Sequence, residues 1–138
     1  GLSYSRVKVS RSSRSFSPSL RISSQSSISL SDSIIRGNVG KTSSAFEYQE
    51  CRGAKGIIKN TIIEENEATD KAIVFVGNCQ LEFENVTIRR NISPFLSEGI
   101  LADHSHIDFK NVTMEHQGHA NATGFLLLLN QSCADICN

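Results

Sequence analysis

The sequence predicts an all-β chain wound as a right-handed parallel β-helix, with roughly 26 residues per coil and four to five coils. Three observations carry this expectation. First, a short phrase recurs. Leu81-Glu82-Phe83-Glu84-Asn85-Val86-Thr87-Ile88 returns as Ile107-Asp108-Phe109-Lys110-Asn111-Val112-Thr113-Met114, and earlier as Ile57-Ile58-Lys59-Asn60-Thr61-Ile62-Ile63. Second, the polar residue at its centre steps from Asp32 to Asn60, Asn85 and Asn111, at spacings of 28, 25 and 26. A period in this range marks a repeat architecture. Third, apolar residues alternate with polar ones inside each phrase, as in Leu81 and Phe83 against Glu82 and Glu84. Period two gives a strand one dry face and one wet face.

Each element of the coil follows from local chemistry. Asn ends the first alternating run, because it tolerates the left-handed backbone and hydrogen-bonds its own turn. A second short strand then carries Ile35, Ile63, Ile88 or Met114. Its β-branched content and short length disfavour a helix. A further strand lies upstream of each phrase. Counting back eight and ten residues from Phe83 gives Phe75 and Ile73, and from Phe109 it gives Leu101 and Gly99. From Leu30 the same count reaches Ile22 and Leu20. Ten and twelve residues before Ile58 stand Tyr48 and Phe46, which implies a two-residue insertion near Arg52-Gly53-Ala54. Forward, the step from Phe75 to Leu101 equals the step from Leu101 to Leu127. Stacked at about 4.8 Å, the coils would place Leu30, Ile58, Phe83 and Phe109 in one core column. Ile35, Ile63, Ile88 and Met114 would fill another. The L-x-x-L-x-L spacing and helical return of a leucine-rich repeat are absent.

This pattern, over residues 20–130, resembles the pectin-lyase-like parallel β-helix superfamily. The phrase L-x-F-x-N-V-T-I-x-x-N is also similar to repeats of polymorphic outer-membrane proteins and of algal or protist surface proteins. The resemblance implies either a structural surface protein or a polysaccharide lyase or hydrolase.

Residues 1–19 form a Ser- and Arg-rich start, read as a worn first coil or an extension, and residues 131–138 a Cys-containing tail. No acid precedes Asp32, a bias shared with organelle transit peptides and nucleic-acid-binding arms. The start at Gly1, without Met or an apolar leader, suggests a processed product or a piece of a longer protein. The 138 residues carry no formal net charge, so no global field draws the chain to nucleic acid or membrane. No apolar run is long enough to span a bilayer. No phosphate-binding glycine loop and no basic groove interleaved with aromatics is present.

Candidate chemistry is sparse. Glu64, Glu65, Glu67 and Asp70 crowd one turn, and acids in a turn are usually only solvated. His104, His106, His116 and His119 fall at two different corners, so no metal centre and no cofactor is expected. Paired carboxylates for acid–base work or calcium are not evident. An enzyme is therefore the less favoured reading. Four cysteines, Cys51, Cys79, Cys133 and Cys137, suit disulfides in a secreted protein. Cys51 and Cys79 occupy equivalent turns of adjacent coils, within bonding reach; buried free thiols are the alternative. Cys133 and Cys137 could pair with each other or with a neighbouring chain.

N-x-S/T sequons occur at Asn85, Asn91, Asn111, Asn121 and Asn130. Asn60 keeps the repeated Asn without being a sequon. Asn60, Asn85 and Asn111 are therefore expected to form an inward-turned asparagine ladder, hydrogen-bonded from coil to coil. Glycans are expected at Asn121, Asn130 and Asn91, in outer turns facing water. The whole reads as a non-enzymatic structural or adhesive segment of an extracellular or cell-surface, fibre-forming protein. Its partners would be further coils or other subunits, or a polysaccharide.

Overall fold

A computed structural model describes residues 2–5, 8–10, 20–23, 27–40, 43–69, 72–93, 99–115 and 126–137. The chain winds through β1 (Leu2–Ser5), β2 (Lys8–Ser10) and β3 (Leu20–Ser23). It continues through β4 (Ile28–Ser31), β5 (Ile34–Arg36), β6 (Val39–Gly40) and β7 (Ser43–Gln49). The next turn holds β8 (Lys55–Lys59), β9 (Ile62–Glu64), β10 (Glu67–Ala68) and β11 (Ala72–Gly77). Then come β12 (Gln80–Glu84), β13 (Thr87–Arg89), β14 (Ile100–Asp103), β15 (His106–Lys110), β16 (Thr113–Met114), β17 (Leu126–Leu129) and β18 (Cys133–Cys137).

All strand pairs among the described residues are parallel and join one turn to the next. Three sheets result, ordered β1-β4-β8-β12-β15-β18, β2-β5-β9-β13-β16 and β3-β7-β11-β14-β17, with a small β6-β10 pair at one corner. The fold is a parallel β-solenoid. About three turns, from β4 to β14, are complete, against the four to five expected. Strand pairing continues into partial turns on both sides of residues 20–130, since β1 pairs with β4 and β18 with β15.

The core is a stack of apolar columns. Leu30, Ile58, Phe83 and Phe109 lie in register and are each no more than 3% exposed. The Phe83 and Phe109 rings stack with centroids 5.5 Å apart. Ile35, Ile63 and Ile88 form the second column, continued by Met114. Beside the first column, Ile28, Gly56, Leu81 and Ile107 share another. A Cβ on Gly56 would stand 2.8 Å from Tyr48 Cε1, so the tyrosine ring fills the place a side chain would take.

The third sheet corrects the expected register by one residue. Phe46 and Tyr48 pair with Val74 and Val76, not with Ile73 and Phe75. Tyr48 to Ile58 is ten residues where Val76 to Phe83 is seven, so the corner at Arg52-Gly53-Ala54 absorbs three extra residues rather than two. One residue of slip exchanges the two faces of a strand. Val74, Val76, Ile100 and Ala102 therefore line the core, and Phe75 stands with Glu47 and Leu101 in a separate column.

Corners turn on left-handed residues, single at the first two corners and joined at the third by Arg52 and Gly53 after Glu50 and by Gln131 after Asn130. Asp32, Asn60, Asn85 and Asn111 have φ of 48–53°; Gly37, Glu65 and Arg90 mark the next corner; Glu50, Asn78, His104 and Asn130 mark the third.

Candidate functional site

Two kinds of polar structure run along the solenoid: asparagine ladders at its corners and a charged stripe on its first sheet. The first ladder is the expected one in composition but not in burial. Asn60 Nδ2 donates to Asp32 Oδ1 at 3.0 Å, Asn85 Nδ2 to Asn60 Oδ1 at 3.1 Å, and Asn111 Nδ2 to Asn85 Oδ1 at 2.7 Å. These side chains are exposed, so the inward orientation is corrected. A left-handed corner residue lifts its side chain off the core, and the next residue, Thr61 or Val86, turns inward instead.

A second ladder, buried, lies six residues further on. Asn38, Asn66 and Asn91 are each 0% exposed. Asn66 Oδ1 accepts from both the backbone N–H and Nδ2 of Asn38, each at 3.0 Å. Asn91 Oδ1 accepts in the same way from Asn66, at 2.9 and 3.0 Å. The remaining amide hydrogens reach carbonyls of the second sheet one turn back, Asn66 to Ile35 in β5 and Asn91 to Ile63 in β9, both at 3.1 Å. The backbone N–H groups of Asn38 and Asn66, outside the strands at a corner, thereby find side-chain oxygens as acceptors. The expectation that Asn91 faces water is thereby corrected. Asn130 is exposed, with Nδ2 donating to Asp103 Oδ1 at 2.8 Å; Asn121 lies outside the described residues.

The charged stripe is built from outward positions of β8, β12, β15 and β18. Alternation buries Leu81 and Phe83 and turns Glu82 outward, and the register stacks Glu82 on Ile57, Asp108 on Glu82, and Asp135 on Asp108. Lys55 Nζ binds Glu82 Oε2 at 2.6 Å and Asp108 Oδ2 at 3.2 Å, and Lys110 Nζ binds Glu82 Oε1 at 2.9 Å. These bonds from Lys55 and Lys110 hold the Glu82 carboxyl below its usual range. For Asp108, burial pushes the carboxyl up, but the bonds from His106 and Lys55 outweigh it and the net shift is downward. Lys55 is raised by the same partners.

At the end of the stripe His106 Nε2 stands 3.0 Å from Asp108 Oδ1 and 3.2 Å from Asp135 Oδ2. Its other ring nitrogen, Nδ1, stands 2.7 Å from Cys133 Sγ. One donor atom from each of His106, Asp108 and Asp135 lies within 4.8 Å of the others. The signal in the sequence was an equal offset, His106 to Cys133 and Asp108 to Asp135, of one coil length.

The acidic turn resolves differently. Glu64 is clasped by Arg89 Nε and Arg90 Nη2, both at 2.8 Å, and Glu65 pairs with Arg36 at 2.7 Å. Burial pushes the Glu64 carboxyl up, yet the Arg90 and Arg89 bonds leave it lowered. Arg36, Arg89 and Arg90 neutralise Glu64 and Glu65 at this corner. Glu67 is exposed, and Asp70 lies outside the described residues, as do His116 and His119. His104 pairs with its neighbour Asp103 at 3.0 Å.

Cys51 and Cys79 form a disulfide between adjacent turns, with Cα atoms 5.1 Å apart at a sequence separation of 28. Cys133 is exposed and unbonded to sulfur. Cys133 and Cys137 are the first and last residues of the extended strand β18. No helix of the described residues is long and apolar enough to cross a membrane. The chain matches no family model, no curated protein and no solved structure.

Proposed function

We propose that this solenoid is a non-enzymatic structural segment of an extracellular or cell-surface assembly, in which further parallel coils continue the stack. The observation that carries the reading is Ile136. It occupies the core column of Leu30, Ile58, Phe83 and Phe109, in register with Phe109, yet it is 70% exposed. A column residue left uncovered at the end of a sheet, beside an unpaired strand edge, is a template for another rung. The Cys51–Cys79 bond supports an oxidising, extracellular setting. Kinship with pectin-lyase-like or polymorphic outer-membrane-protein repeats is part of this proposal and rests on the repeated phrase and the solenoid.

A polysaccharide-binding or polysaccharide-cleaving role is the second reading. It is favoured by the carboxylates of Glu82, Asp108 and Asp135, one per rung on an outer face. The lysines that neutralise Glu82 and Asp108 weigh against it.

Sedimentation velocity over a dilution series tests the structural reading. The chain should associate, and Ile136→Lys should return it to monomer with its β dichroism unchanged. A chain that stays monomeric at every concentration, indifferent to Ile136→Lys, would sink the proposal.

A further inference from the structure

We propose that His106, Asp108 and Asp135 form a binding site for a divalent transition-metal ion, zinc in the first place, on the outer face of the first sheet. The three side chains come from two adjacent rungs, β15 and β18, whose parallel pairing sets Asp108 beside Asp135. His106 and Asp108 are two residues apart on one strand and so share its outward face. None of the three needs a loop to bring it into place.

The distances suit a metal. Nε2 of His106 lies 3.0 Å from Asp108 Oδ1 and 3.2 Å from Asp135 Oδ2. Zinc bonds nitrogen and carboxylate oxygen at about 2.0–2.2 Å, so neighbouring ligands of a tetrahedral ion stand about 3.3 Å apart. A single imidazole N–H can point well at only one of two carboxylates. An ion in its place serves both at once. Three protein donors with a fourth position toward solvent is the open arrangement of a zinc site that keeps an exchangeable ligand. Calcium fits poorly, because it takes six to eight oxygens and no imidazole.

The surroundings complete the assignment. Lys55 Nζ holds the other oxygen of Asp108, Oδ2, at 3.2 Å, which leaves Oδ1 for the ion and fixes the carboxylate plane. Cys133 Sγ faces Nδ1, at the far end of the ring from the carboxylates, and so stands outside the ligand set. With the ion on Nε2, the ring proton sits on Nδ1 and is donated to sulfur, the orienting bond that a metal-bound histidine ordinarily makes to an outer partner.

Cobalt(II) is the probe, titrated into the full chain without reductant so that Cys51–Cys79 stays closed. One ion per chain should bind, with the visible bands of a tetrahedral site and no sulfur-to-cobalt charge transfer, and zinc should displace it. His106→Ala, Asp108→Asn and Asp135→Asn should each weaken binding at least tenfold, and His104→Ala should not. Cys133→Ser should weaken it on the order of 10-fold, the cost of an orienting partner. Asp135 is exposed, so Asp135→Asn carries the test even if another variant fails to fold. Three results would overturn the assignment: no saturable cobalt binding, binding unmoved by His106→Ala and Asp135→Asn, or a thiolate–cobalt band that vanishes in Cys133→Ser.

Discussion

The two asparagine ladders are built from the same side chain, the same coil-to-coil spacing and nearly the same hydrogen-bond lengths, yet they sit in opposite solvents. Asn38, Asn66 and Asn91 are sealed in the corner between the second and third sheets; Asp32, Asn60, Asn85 and Asn111 face water. In the buried ladder each shared Oδ1 accepts from a backbone N–H as well as an amide, and the remaining amide hydrogens go to strand carbonyls. In the exposed ladder one amide bond per rung joins side chain to side chain, and water competes for it. A hydrogen bond made in water contributes little net, whereas a buried group stripped of its partner bears the full desolvation cost. The exposed asparagines serve chiefly through their backbone, at φ near 50°. The buried ones serve through their side chains.

The sharpest way to break this contrast is Asn66→Asp. One oxygen would still accept from Asn38, but the other would face the oxygens of Asn91 and Ile35 with no hydrogen to offer. A loss on the order of 4 kcal/mol is expected by urea unfolding, with the monomer population read in parallel. Next, Asn66→Ala removes both halves of the relay and strands the donors of Asn38. About 3 kcal/mol should be lost. If Asn85→Ala costs as much, burial is not what separates the ladders.

Between these lies acid. The amides of both ladders carry no charge, so lowering the pH reaches the fold through Glu64, Glu82 and Asp108, whose carboxyls are all held low. Such groups contribute stability that is present above the ordinary carboxylate range and lost as pH falls through their lowered values. The thermal midpoint should therefore hold between pH 7 and about 5 and decline below about 4. Removing Lys55 and Lys110 together, as Met, should flatten that decline; an unchanged slope would place the acid sensitivity elsewhere.

The smallest effects belong to the exposed corner. Asn85→Ala should cost about 1 kcal/mol, because alanine resists the left-handed region. Asn85→Gly, which adopts it freely, should cost less than about 0.5 kcal/mol although it deletes the same two side-chain bonds. A glycine variant as damaged as the alanine one would show that the exposed amide bonds matter more than the backbone.

Much of the solenoid was legible because its apolar columns repeat with the coil. Leu30, Ile58, Phe83 and Phe109 stand where their spacing puts them. The third sheet was harder, since Arg52-Gly53-Ala54 hides how many residues its corner absorbs, and a miscount of one turns Phe75 from core to outer face. Two of the three corners carry no uniform signature. Glu65, Arg90 and Glu50 are held left-handed by stacking rather than by preference. The buried ladder was written plainly, at spacings of 28 and 25, but Asn91-Ile92-Ser93 imitates a glycosylation signal. The stripe of Glu82, Asp108 and Asp135 repeats with equal regularity, and only a search of outward positions finds it. The charge partners along it come from different turns, so nothing local in the sequence joins them.

The constant register has a kinetic consequence. Each rung of the first sheet meets a partner one coil length earlier in the chain, from Leu2 and Ile28 through to Phe109 and Ile136. Every added turn thus closes a loop of nearly one size, however long the stack has grown, and closure entropy depends on that size alone. Forming the first pair of turns is the slow event, since it orders two loops before any stack exists to receive them. Later turns zip onto a finished template. Such a chain can be lengthened by whole turns with little change in its refolding rate, a freedom denied to folds whose ends must find each other.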